Sequence, residues 1–249
     1  MSERVLADIP IPQSIELSEK ARNSFASKIL VCLIGPSRVG KTSLAHAATT
    51  EDPSFRAVRP FCSQPVTPGS LLNGTHRLKN VQENYRFISD ELALGNIAHI
   101  GRLADEQLYG FHASAFTGRY NVIQARSTDM EAFRSLPFEY HIAIGVSAPV
   151  HDWKKRFQGA DYAIDESSRH LAESAEDLQW ALQDPHLMWL TNPTHRRSLN
   201  SVSHGLQTSA RALINIALGE EYSMRHARQE AQGILAAISD VRPADSRVA

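Results

Sequence analysis

The chain has 249 residues, of which 42% are hydrophobic, and its 26 Lys and Arg against 27 Asp and Glu leave a formal net charge of −1. That length allows one sizeable core, and the balanced charge gives no electrostatic case for nucleic acid or an anionic membrane surface. No apolar run approaches the roughly 20 residues of a membrane span.

Residues 1–27 read as an N-terminal extension. They begin MSERVLADIP, which does not resemble a signal or transit peptide, and hold Pro10, Pro12 and a polar helix in ELSEKARNSFASK. The main domain is expected over 28–218. It opens with KILVCLI, an apolar run at 29–34 that predicts a buried parallel strand. GPSRVGKTSL follows at 35–44. Gly35 and Gly40 allow backbone angles that let amides converge on one point, Lys41 adds a mobile charge, and Thr42 adds a hydroxyl. This is the G-x-x-x-x-G-K-[ST] pattern, whose amides cradle phosphate oxygens while the hydroxyl meets magnesium. With KTSLAHAAT predicted as a helix behind it, the stretch is expected to hold a nucleoside triphosphate on Gly35, Pro36, Ser37, Arg38, Val39, Gly40, Lys41, Thr42 and Ser43.

Residues 51–80 are rich in Pro, Gly and Ser and predict loops, as part of an acceptor-side insert over about 51–115. A strand is predicted near Asn96–Ile100, and core strands at NVIQARS (121–127), HIAIGVSA (141–148) and HLMWLTN (186–192). Helices are predicted at 150–158 and 166–183, with ARALINIAL (210–218) inside a long helix. A C-terminal helix at 221–238 and a polar tail make up 219–249. Strands alternating with helices predict an α/β fold, a three-layer sandwich with a parallel sheet covered on both faces. Ligands in such sheets sit beyond the carboxyl ends of the strands, so the loop, Arg126, Pro149 and Asn192 should share one rim.

Two cysteines, Cys32 in the first strand and Cys62 in a loop, make no disulfide framework and suit a cytoplasmic protein. The eleven histidines are scattered, without H-E-x-x-H or C-x-x-C, so a structural metal is not expected. NVIQAR and HIAIGVSA carry no acidic residue at the strand end, where motor ATPases hold magnesium's water shell.

The chain resembles the guanylate kinase family of P-loop kinases over roughly 28–218. GPSRVGKTSL is similar to that family's GPSGVGKST-type loop. AVRP (57–60) resembles Thr-Thr-Arg-x-Pro, YRFIS (85–89) resembles Tyr-His-Phe-Val-Ser, and LYGF (108–111) resembles Tyr-Tyr-Gly-Thr. TGRYNVIQARS, SAPVHDWKKRF and WLTN follow in the family's order. The resemblance implies a small-molecule kinase using ATP and Mg2+, with a phosphorylated acceptor and no membrane or nucleic-acid partner, as monomer or homodimer. Arg59, with Arg56, would grip the acceptor phosphate, and Tyr85 and Tyr109 would hydrogen-bond it. Arg156 and Arg169 would close from a short lid, Thr42 would ligate magnesium, and Asn192 would lie near the adenine.

Several departures accompany the likeness: the lid between Arg156 and Arg169 is short, and Arg169 sits one residue before the family's arginine, where this chain has His170. Arg38 stands at a loop glycine, Arg126 at an aspartate, and Leu103 near the glutamate that reads guanine. Leu103 cannot accept hydrogen bonds, so weak preference for GMP is expected. Ribose 1,5-bisphosphate phosphokinase keeps the loop without guanine-reading features, which leaves a sugar phosphate open as acceptor. The residues themselves also admit plainer roles: Arg56, Arg59 and Arg156 as solvated charges, the two tyrosines as core aromatics, Arg126 as an ion-pair partner, and Asn192 as a turn residue before Pro193. A non-catalytic interaction module and a regulatory nucleotide-binding protein are the other functional classes.

Overall fold

The computed structural model describes residues 11–12, 15–62, 81–102, 108–160, 164–193, 204–220 and 225–240, with backbone alone at 81–85, 164–165 and 204. In chain order the elements are α1 (Glu19–Phe25), β1 (Ile29–Ile34), α2 (Lys41–Glu51), β2 (Phe55–Ala57), β3 (Phe61–Cys62) and α3 (Val81–Ala93). Then come β4 (Ile97–Arg102), β5 (Leu108–His112), β6 (Tyr120–Gln124), α4 (Met130–Arg134), β7 (Tyr140–Ser147) and α5 (Val150–Gln158). α6 (Ile164–Gln183), β8 (Met188–Thr191), α7 (His204–Ala217) and α8 (Arg225–Ala237) complete the chain.

Every residue of β1 is buried, which requires cover on both faces of the sheet and explains its unbroken apolar run. β1 is the central strand of a five-stranded sheet in the order β2-β6-β1-β7-β8, and all four pairings are parallel. Helices flank it: α2 packs with α7, and α8 packs with α5, α6, β7 and β8. The α/β architecture is therefore the one the alternating pattern predicts. Because the strands run one way, the ends of β1, β6, β7 and β8 share a rim with the turns that follow them.

Packing decides two placements that the sequence leaves open. The strand at 97–102 is not in the main sheet but in a second, antiparallel one, ordered β3-β5-β4, with its own small core of Phe61, Ile88, Ile97, Ile100 and Leu108. Alternation and length cannot say which sheet a strand joins. The main sheet instead gains β2, whose three residues are too few to show a period. Of the N-terminal extension, residues 15–27 pack on the core, one of the two places open to their polar helix. Ser18 caps α1 by accepting the Ala21 amide, and Leu17, Ala21 and Phe25 enter the main core. Phe25 stacks on Phe138 at 4.5 Å between ring centroids and meets Phe116 edge-on.

Among the described residues, no helix is long and apolar enough to cross a membrane.

Candidate functional site

The loop between β1 and α2 is shaped by three residues with positive φ: Gly35 (151°), Arg38 (67°) and Gly40 (91°). A Cβ on Gly35 would stand 2.3 Å from the Val146 carbonyl oxygen, and one on Gly40 would stand 2.4 Å from Asn192 Nδ2. Glycine is thus required at both for conformation and for space. Gly40 is the N-cap of α2 and no side chain caps the helix. The first-turn amides of a helix lack intrahelical carbonyls, so those at Lys41, Thr42 and Ser43 form, with the helix dipole, a positive end able to hold phosphate.

Arg38 shows why its position favours glycine, since a left-handed conformation costs a residue with a Cβ about 1–2 kcal/mol. Arg38→Gly is accordingly expected to stabilise the chain by roughly 0.5–1 kcal/mol, part of the relief being offset by greater freedom of the unfolded chain. Chemical denaturation reads this, and a variant less stable than wild type would show that contacts of the arginine outweigh its strain.

Lys41 donates from Nζ to the Gly35 carbonyl (2.5 Å) and the Pro36 carbonyl (3.0 Å). Burial pushes its pKa down to about 8, against the opposing pull of Asp177 and Glu173. Gln124, the last residue of β6, donates to Thr42 Oγ1 (2.7 Å). A hydroxyl oxygen has two lone pairs, so one remains for a cation.

The tip of the loop is held from behind. Trp153 Nε1 donates to the Ser37 carbonyl (2.9 Å). The Ser37 amide donates to Ser174 Oγ (2.9 Å), which takes that amide away from the phosphate-binding set the motif suggests. Arg156 donates to the carbonyls of Arg38 (3.4 Å), Val39 (3.0 Å) and Asn192 (3.0 Å). Asn192 Nδ2 donates to the Val39 carbonyl (2.7 Å), with the side chain buried. Arg156 and Asn192 thus brace the underside of the loop, a different position from the lid and adenine edge expected for them. Pro36 and Val39 are buried, whereas Arg38 is exposed.

α6 supplies a polar stripe, and of its members the resemblance marks only His170, which stands where the family has an arginine. His170, Glu173, Ser174 and Asp177 recur at i, i+3, i+4 and i+7, so they share a helix face. His170 Nδ1 lies 3.4 Å from Ser37 Oγ. Glu173 lies 3.7 Å from Arg126, and the His170 ring beside it holds its carboxyl below the usual range. Asp177 is buried and accepts the Ser127 amide (2.8 Å). Burial raises its pKa, while that amide and Lys41 pull the other way. The four-residue polar periodicity inside 166–183 was the signal available in the sequence. Gln124 and Trp153 had none beyond their places at a strand end and in an apolar stripe.

The acceptor-side residues are more dispersed. Arg59 is exposed beyond the end of β2, close enough to His46 of α2 that, after burial, its charge lowers the imidazole pKa. Arg56 is exposed and folds over Gly118, at the amino end of β6 and away from the loop: a Cβ on Gly118 would meet its side chain at 2.7 Å. Tyr109 donates its hydroxyl to Asp129 Oδ2, and burial together with that carboxylate raises its pKa. Arg169 is partly buried on α6, near Glu173. The side chain of Tyr85, like Leu103, lies outside the described residues.

No family model matches this chain, and no curated protein does. Among solved structures, the crystal structure of guanylate kinase from Anaplasma phagocytophilum is similar to it, at 11% identity and a TM-score of 0.45, over 87% of this chain and 96% of that one.

Proposed function

We propose that the chain is a small-molecule kinase that transfers the terminal phosphoryl of ATP to a phosphorylated acceptor, a nucleoside monophosphate ahead of a sugar phosphate. The observation that supports this reading is the uncapped amino end of α2, wrapped by a loop bent at Gly35, Arg38 and Gly40 and carrying Lys41.

Phosphoryl transfer depends chiefly on positioning and charge neutralisation. The amides from Arg38 to Ser43 hold the phosphate oxygens of ATP, and Lys41 neutralises their outer charge. Thr42, with its second lone pair, suits magnesium, which would be shared with the phosphates and water because no acid ends β6. Magnesium, when bound, neutralises charge on the phosphates. Gln124 orients the Thr42 hydroxyl, while Trp153, Arg156, Asn192 and Ser174 keep the loop formed before ATP arrives, so less order is lost on binding. A phosphate acceptor is already an anion and needs no base. Arg59, exposed beyond the end of β2, would grip it, with Tyr109 and Arg169 as further candidates, whereas Arg56 would have to turn from its place over Gly118.

The test is acceptor dependence. ADP should form only when GMP, AMP, dGMP, CMP or ribose bisphosphate is added with ATP and magnesium, and GMP should not stand alone among them. ADP formation at the same rate without acceptor would favour a slow hydrolase instead. Arg59→Ala is expected to weaken acceptor binding tens-fold, the loss of a bidentate charged contact, and to leave ATP affinity unchanged. Separate titrations decide this, and equal weakening of both ligands would overturn the two-site arrangement.

A further inference from the structure

Gln124 and Arg126 stand at the end of β6, where an acid would otherwise hold magnesium's water shell. α6 packs against the turn that follows, Ser127–Asp129, and brings a carboxylate to the same place. Asp177 Oδ1 accepts the Ser127 amide (2.8 Å), one residue past Arg126. The end of β6 therefore positions two groups. The Gln124 side chain holds the Thr42 hydroxyl (2.7 Å), and the Ser127 amide holds Asp177.

That carboxylate has capacity left. An ionised carboxyl offers about four lone-pair positions, and the Ser127 amide takes one. Burial raises the Asp177 pKa, against the pull of that amide, Lys41, the Ser127 hydroxyl and Arg126. Ser127 Oγ, though close by and buried, reaches no partner at hydrogen-bond geometry among the described residues. Asp177 is 8% exposed and Ser127 7%, so an unsatisfied hydroxyl and a carboxylate lie side by side in a polar recess suited to ordered water. Two neighbouring acids are engaged elsewhere. Glu173 faces Arg126 (3.7 Å) and His170 (3.5 Å), and Asp129 takes the Tyr109 hydroxyl of the small sheet. Magnesium retains several waters when it binds nucleotide phosphates, so a carboxylate can act on it without being a ligand.

We propose that Asp177 is a positioning residue for magnesium: its carboxylate, with the Ser127 hydroxyl, holds water of the ion's shell in place of the acid absent from the end of β6. The inference rests on the kinase reading and deepens it. The experiment titrates a non-hydrolysable ATP analogue with magnesium, and again with EDTA, against wild type, Asp177→Asn and Asp177→Glu. Wild type should bind the analogue more tightly with magnesium. Asp177→Asn keeps the shape and can still accept the Ser127 amide, but should lose about tenfold of that gain. It should bind the metal-free analogue at least as tightly as wild type, because a negative charge has left the neighbourhood of the phosphates. Asp177→Glu, which keeps the charge, should recover most of the gain. A carboxylate that served only to hold Lys41 or the turn would change both affinities alike, so an unchanged gain, or equal losses, overturns the role. If wild type binds the analogue equally with and without magnesium, only the role of Asp177 falls. If wild type binds it under neither condition, the kinase reading falls and Asp177 falls with it.

Discussion

Lys41→Met is expected to lower phosphoryl transfer by roughly 10²–10³-fold, the usual loss when a charge aimed at the transferred group is removed, while making the folded chain more stable at neutral pH. The two effects share one cause. Burial lowers the Lys41 pKa from 10.5 to about 8, so the unfolded state binds the proton more tightly than the native state does. The resulting cost is full below pH 8, declines between pH 8 and 10.5, and is absent above that range. It is on the order of 3 kcal/mol at neutral pH, reduced by what Asp177 loses when its opposite charge goes. Methionine keeps the volume without the charge. Melting curves of the two proteins from pH 7 upward should therefore converge as the pH passes 10.5. A gap independent of pH would show that charge burial is not its source, and full turnover by the variant would remove Lys41 from the chemistry.

Arg156→Ala is expected to cost about 2–4 kcal/mol of stability and to weaken ATP binding and turnover together. The guanidinium bonds three carbonyls, those of Arg38, Val39 and Asn192, and bonds to a charged donor contribute roughly 1.5–3 kcal/mol each when buried, less where solvent reaches them. Without it the Asn192 carbonyl loses this bond and the Val39 carbonyl keeps only the Asn192 amide, so the loop loses its pre-formed shape. A lid arginine would behave otherwise, lowering kcat with no change in melting temperature or in the affinity for ADP. Denaturation and ADP titration of the single variant separate the two roles.

The sequence alone determined the parts of this protein whose cause is local. Ile29–Ile34 is a strand covered on both faces because it is apolar throughout, and 150–158 and 166–183 are helices for reasons of period. The loop takes its shape from glycines at 35 and 40 that no other residue could replace, and Lys41 and Thr42 stand in it by covalent neighbourhood. Tertiary structure decided the partners of that loop. Ser37 meets His170 and Ser174, 133 and 137 residues away, and Asp177 is buried near Lys41 from the same helix. Helical period places those residues on one face of α6 but does not say what that face touches. The same limit moved Arg156 from an expected lid to the underside of the loop, since a guanidinium near KKRF can reach solvent, phosphate or carbonyl, and only the packing of α5 beside Val39 and Asn192 selects among them. β2 and β3 were hidden for the complementary reason: strands of three and two residues carry too little pattern, and they exist because β6 and β5 offer them backbone partners.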